Sequence, residues 1–162
     1  MKTPIFIFLF IISNMMASQE LPVSGDLFEI TGVALINDKR VSDYSVAVYL
    51  DGTKIDSIFA KSKRSIKFYV GLNKIYTFLY QKPGYTDKII IVNTHVPEGL
   101  KTLADNTFDF SVELSGALTV NTEELEDYPV AVLLIDKEEE VLQASADYNK
   151  LTHKEIEIKT GK

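Results

Sequence analysis

Residues 45–59 read S-V-A-V-Y-L-D-G-T-K-I-D-S-I-F. The first half, Ser45 to Leu50, places Val46, Val48 and Leu50 on one side, the two-residue period of a strand. Asp51-Gly52 follows. Gly accepts positive φ without steric cost, so this pair reads as a two-residue hairpin turn. Lys54 to Phe59 then returns as a second strand, with Ile55, Ser57 and Phe59 on one face. A hairpin of short, β-branched strands sets the class to look for in the rest of the chain.

The same pattern extends in both directions. Phe28 to Asn37, F-E-I-T-G-V-A-L-I-N, is a strand that ends in the polar, turn-like Asn37-Asp38-Lys39-Arg40. Ser65 to Val70 follows the basic turn Lys61-Ser62-Lys63-Arg64 and points Ile66, Phe68 and Val70 inward. Gly71-Leu72-Asn73 turns the chain. Lys74 to Gln81 places Ile75, Thr77 and Leu79 on one face and Tyr76, Phe78 and Tyr80 on the other. Thr86 to Val92 contains the run I-I-I-V, which predicts burial on both faces or an inter-sheet position. After a polar connection over 93–106, Thr107 to Leu114 alternates cleanly, with Phe108, Phe110, Val112 and Leu114 facing one way. Pro129 to Asp136 is one more strong strand, and Glu138 to Ala144 can pair with it. Asn149 to Lys159 is ambiguous: Ile156 and Ile158 alternate, but Lys and Glu abound. Short strands every 8–12 residues with Gly and Pro at the corners predict an all-β sandwich of about seven strands, followed by a C-terminal extension.

Between two of these strands lies Lys82-Pro83-Gly84-Tyr85. Pro presets φ for the second position of a β-turn and Gly supplies the positive φ of the third. The stretch therefore predicts a structural corner, with Tyr85 folding its ring onto the sandwich. The competing reading pairs Lys82 and Tyr85 as acid and base, but no further polar partner sits near them in sequence.

The N-terminus has a separate logic. Met1-Lys2-Thr3 is basic, Pro4 to Ile12 is apolar, and a small-residue region ends in Ala17-Ser18. This is the layout of a signal peptide over residues 1–18. An apolar core of about 9 residues falls well short of the roughly 20 that a spanning helix needs. No integral membrane segment is then expected after cleavage. The chain contains no Cys, so thiol catalysis, disulfides and lipid-modified cysteine are excluded, and the core must be held by packing alone. Export without Cys predicts the periplasm or cell surface of a Gram-negative bacterium. Lys2 is the one charged residue of 1–18, so the mature chain has 16 Lys and Arg against 23 Asp and Glu, a net of −7. Such an acidic chain gains nothing from a phosphate backbone, and nucleic acid is not an expected partner.

The order Thr31-Gly32-Val33, V-A-V-Y-L, D-G-T-K-I-D-S, K-F-Y-V-G-L-N-K-I-Y-T-F, Q-K-P-G-Y-T-D-K-I-I-I-V-N-T and F-D-F-S-V-E-L resembles the carboxypeptidase regulatory-like family. The form it resembles is the stand-alone bacterial envelope version. The resemblance implies a transthyretin-like (prealbumin-like) sandwich over about 24–114, with 115–162 as an extension carrying a strand near 129–136. One departure is Ser65, which stands where the family has a Gly before its fourth strand. The family's motifs specify a fold and no activity.

Chemistry-bearing constellations are sparse. His95 and His153 are the only histidines and neither has further ligands at metal spacing. The acidic runs Glu123 to Asp127 and Asp136 to Glu140 lack the Gly and the alternation of a calcium loop. No HExxH, GxSxG, P-loop or GxGxxG stretch occurs. Neither catalytic residues nor a cofactor or metal site are expected, and the chain reads as a noncatalytic structural or binding module. Its expected partner is an envelope protein or a glycan. An alternative is a carbohydrate- or peptide-binding domain that displays Tyr76, Phe78 and Tyr80 on an exposed strand face.

Overall fold

The computed structural model describes residues 27–100, 103–116 and 129–148, and the expected signal peptide and the ambiguous 149–159 stretch lie outside them. Ten strands form among the described residues: β1 (Leu27–Ile36), β2 (Lys39–Arg40), β3 (Tyr44–Leu50), β4 (Thr53–Ala60), β5 (Ile66–Gly71), β6 (Ile75–Gln81), β7 (Lys88–Asn93), β8 (Thr107–Glu113), β9 (Ala131–Ile135) and β10 (Leu142–Ala144). The sequence pattern anticipates all of them except the two-residue β2, which is too short to carry a period. No helix of the described residues is long and apolar enough to cross a membrane.

The strands divide between two sheets. In the smaller, β1 is central. It pairs antiparallel with β5 and β2 along one flank and parallel with β8 along the other. The larger sheet has the order β10-β9-β7-β6-β3-β4. Its neighbours run antiparallel except β7 and β9, which are parallel. The strand expected near 129–136 is β9, and it joins this sheet with β10 as its edge.

The sheets pack face to face as a sandwich. Phe28, Ile30, Ala34, Phe68, Val70 and Val112 from the smaller sheet meet Tyr44, Val46, Val48, Phe78, Tyr80, Ile90 and Val92 from the larger. Phe68 on β5 and Phe78 on β6 bring their ring centroids to 4.6 Å across the interface. Burying each such ring removes a large apolar area from water, and this term holds a chain without disulfides together.

The turns follow from local chemistry. Asp51 and Gly52 both take positive φ, 47° and 81°, the two left-handed steps that match a hairpin's twist. Asn37 and Asp38 do the same between β1 and β2, at 49° and 60°. None of residues 61–65 takes positive φ, so Ser65 fits where a Gly was expected.

One register shift breaks the sequence pattern. Val48 pairs with Asp56 and Tyr49 with Lys54, leaving Ile55 as the extra residue of a β-bulge. The bulge interrupts the simple alternation expected of Ile55, Ser57 and Phe59.

Candidate functional site

The aromatic trio on β6 faces inward. Tyr80 pairs with Val46 and Phe78 with Val48 across the ladder, and directly paired residues share a face. Val46 and Val48 are core residues, so the trio is too: Tyr76 is 8% exposed, and Phe78 and Tyr80 are 0% exposed. This corrects the expectation of an exposed aromatic platform. Three rings represent far more apolar area than Ile75, Thr77 and Leu79, and the larger area goes inside.

Tyr80 also explains Gly32. A Cβ on Gly32 would lie 2.2 Å from the Tyr80 hydroxyl and 3.0 Å from the Phe110 ring. The missing side chain on β1 is the space that Tyr80 occupies. Its ring stacks on Tyr44, with centroids 5.9 Å apart, and meets Phe110 edge-on at 6.1 Å. Neither the Tyr80 nor the Tyr44 hydroxyl has a hydrogen-bond partner among the described residues. Burial, and then the neighbouring Tyr44, push the Tyr80 hydroxyl well above the ordinary tyrosine range. Burial raises Tyr44 as well. The nearby Ala34 backbone, outside hydrogen-bond geometry, and then the positive charge of Arg40 oppose that shift. Hydroxyls so held cannot ionise near neutral pH and offer no base.

Lys82-Pro83-Gly84-Tyr85 forms a tight corner. The Tyr85 N–H donates to the Lys82 carbonyl at 3.0 Å, and Gly84 takes φ 82°. The Lys82 ammonium donates to the Ser42 and Asp43 carbonyls at 2.7 and 3.0 Å. It pins the turn before β3. Tyr85 is half-buried, packs on the core and bridges to Gly116. These groups are engaged in holding strands together.

The remaining candidates are also accounted for by local contacts. His95 sits in the exposed loop after β7, its Nδ1 2.7 Å from the side-chain Oδ1 of Asn93. Asp136 accepts the Glu138 and Glu139 N–H groups, both at 2.8 Å, which makes the second acidic run a capped turn. Those two donors hold its carboxyl below the usual range. No three of His, Asp and Glu come together to hold a metal ion among the described residues. His153 and Glu123 to Asp127 lie outside them.

The surface with the clearest capacity is the outer face of the larger sheet. One cross-strand row runs Ser57, Ala47, Leu79, Ile89. The next runs Tyr49, Thr77, Ile91, Val132. A third runs Ile75, Asn93, Leu134, Gln143. Leu79, Ile89, Ile91, Val132 and Leu134 are all partly exposed, and Ile75 is 40% exposed. A polar rim surrounds them: Ser45, Ser57 and the Gln81–Asp87 pair, whose side chains meet at 2.6 Å. An apolar centre with a polar rim is the anatomy of a protein-docking surface. The signal for it in the sequence was the I-I-I-V run of β7, which puts apolar residues on both faces. At one side of this surface, β4 ends the sheet as an eight-residue edge with Phe59 56% exposed.

No family model matches this chain, and no curated protein matches it either.

Proposed function

We propose that the protein is a noncatalytic binding module of a Gram-negative cell envelope, with a transthyretin-like sandwich, that docks a protein partner on the outer face of its six-stranded sheet. The observation that carries this reading is the apolar centre of that face, Leu79, Ile89, Ile91 and Val132, which lie in two neighbouring rows across three strands, on the side that the core does not use. The signal-peptide layout of residues 1–18 supports export. The motif order from Thr31 to Leu114 supports the transthyretin-like assignment. A carbohydrate platform built on Tyr76, Phe78 and Tyr80 is set aside, because those rings are buried.

A second reading has its own observation. β4 is long, has no strand partner on one side among the described residues and carries exposed Ile55 and Phe59. An extended segment of a partner can add there as a further strand.

The test is capture from envelope extract by the immobilised mature chain, compared with Ile91→Asp and with Phe59→Asp, followed by mass spectrometry. A protein held by the parent chain and lost with Ile91→Asp supports docking on the sheet face. Loss with Phe59→Asp alone moves the site to the β4 edge. Equal retention by all three, or turnover of a small substrate by the purified chain, overturns the proposal.

A further inference from the structure

On the side of the sandwich away from β4, the smaller sheet ends at β8 while the larger continues through β7 to β9 and β10. The mismatch leaves a cleft of about 320 Å³ between the sheets. Its interior is apolar: Phe108 and Phe110 of β8 form one wall, and Ile90, Ala131 and Leu133 form the other. The two phenyl rings stack at 6.4 Å. The volume lies at the lower end of the range of small-molecule sites, and the composition is theirs.

One residue in this cleft is out of character. Lys88 pairs with Tyr80 at the start of β7, on the inward-facing side of the strand, and it lines the cleft with only intermediate exposure. Its ammonium has no hydrogen bond or ion pair among the described residues. The acid on the opposite lip, Glu113, is exposed and accepts the Asn37 N–H at 2.6 Å. The cleft therefore joins an apolar interior to an unpaired cation at its mouth. That combination is complementary to an amphipathic anion, in which the chain fills the interior and the charge meets the ammonium.

We infer that the cleft between β8 and β7–β9 binds an apolar monocarboxylate of medium chain length, with its carboxylate on Lys88. This site lies on the inner side of the larger sheet and does not depend on docking at the outer face.

Decanoate is the probe, titrated calorimetrically into the full mature chain, with decan-1-ol as the uncharged counterpart. Lys88→Met keeps the apolar stem and removes the charge, and circular dichroism checks that it folds. Lys39→Met, at an exposed lysine of β2, is the control. The expected result is binding of decanoate that weakens about tenfold or more in Lys88→Met and not in Lys39→Met, while any decan-1-ol binding is unchanged. Absence of decanoate binding to the folded parent chain overturns the inference. So does equal affinity of parent and Lys88→Met, which would show that the ammonium does not face the bound anion.

Discussion

The two faces of β6 differ in what they ask of a side chain. Inward, Tyr76, Phe78 and Tyr80 are buried against the opposite sheet, and even one Cβ at Gly32 would collide with Tyr80. Outward, Thr77 and Leu79 sit in rows with their cross-strand neighbours and remain partly exposed. The same strand thus supplies most of its stability from one side and has apolar area to spare on the other. Apolar character alone does not separate core from interface; what separates them is whether a second layer of this chain sits on top.

Substitutions can break or sharpen that contrast. The largest effect belongs to Phe78→Ala, which deletes a ring that is 0% exposed and packed on Phe68. It should cost about 3–5 kcal/mol in urea unfolding. A loss below about 1 kcal/mol would mean that the inner face is not the core. Thr94→Val comes next. Thr94 is the one buried polar residue among the described residues; its hydroxyl donates to the Gly71 carbonyl at 2.7 Å and accepts the Lys74 N–H at 3.1 Å. Replacement leaves both groups unsatisfied and should cost about 1–3 kcal/mol by the same measurement. Ile91→Asp on the outer face should cost less than about 1.5 kcal/mol, because water already reaches it. A loss as large as that of Phe78→Ala would show that the outer face is covered in the isolated chain.

The smallest effect has the opposite sign. Tyr80→Phe removes a buried hydroxyl that has no partner among the described residues. Stability should stay level or rise by up to about 1 kcal/mol. The pH dependence follows from the raised Tyr80 and Tyr44 values. An unfolded tyrosine ionises near pH 10 and these two ionise higher when folded, so the folded state keeps its protons longer. Stability is therefore insensitive to them below about pH 10 and falls as pH rises beyond it. Tyr80→Phe should flatten that alkaline fall in a thermal-melt series. An identical fall in parent and variant would mean that the hydroxyl is not desolvated.

Much of the fold was legible because the strands alternate and their turns carry Asp-Gly, Pro-Gly and Asn-Asp. Inside and outside were harder to assign. Alternation in Lys74 to Gln81 defines two faces and does not say which one the second sheet covers. That choice depends on pairing with Val46 and Val48, which is a tertiary fact. The bulge at Ile55 inserts one residue without any Gly to announce it. Nothing local to Lys88 reveals that its position on β7 faces the interior, because that depends on its pairing with Tyr80. The outer apolar face was half visible in I-I-I-V, but its continuation through Leu79 and Val132 depends on which strands become neighbours.

The parallel pairing of β1 with β8 also orders events in time. Glu29 finds its partner at Thr107, far along the chain, whereas Leu27 meets Gly71 much sooner. Closing so long a segment costs entropy that only the finished pairing returns. β1 can rest on β5 early, but its other flank stays open until β8 has been made. A chain growing from its N-terminus therefore spends a defined interval with its central strand half-covered. During that interval β1 is the strand most in need of protection from other chains.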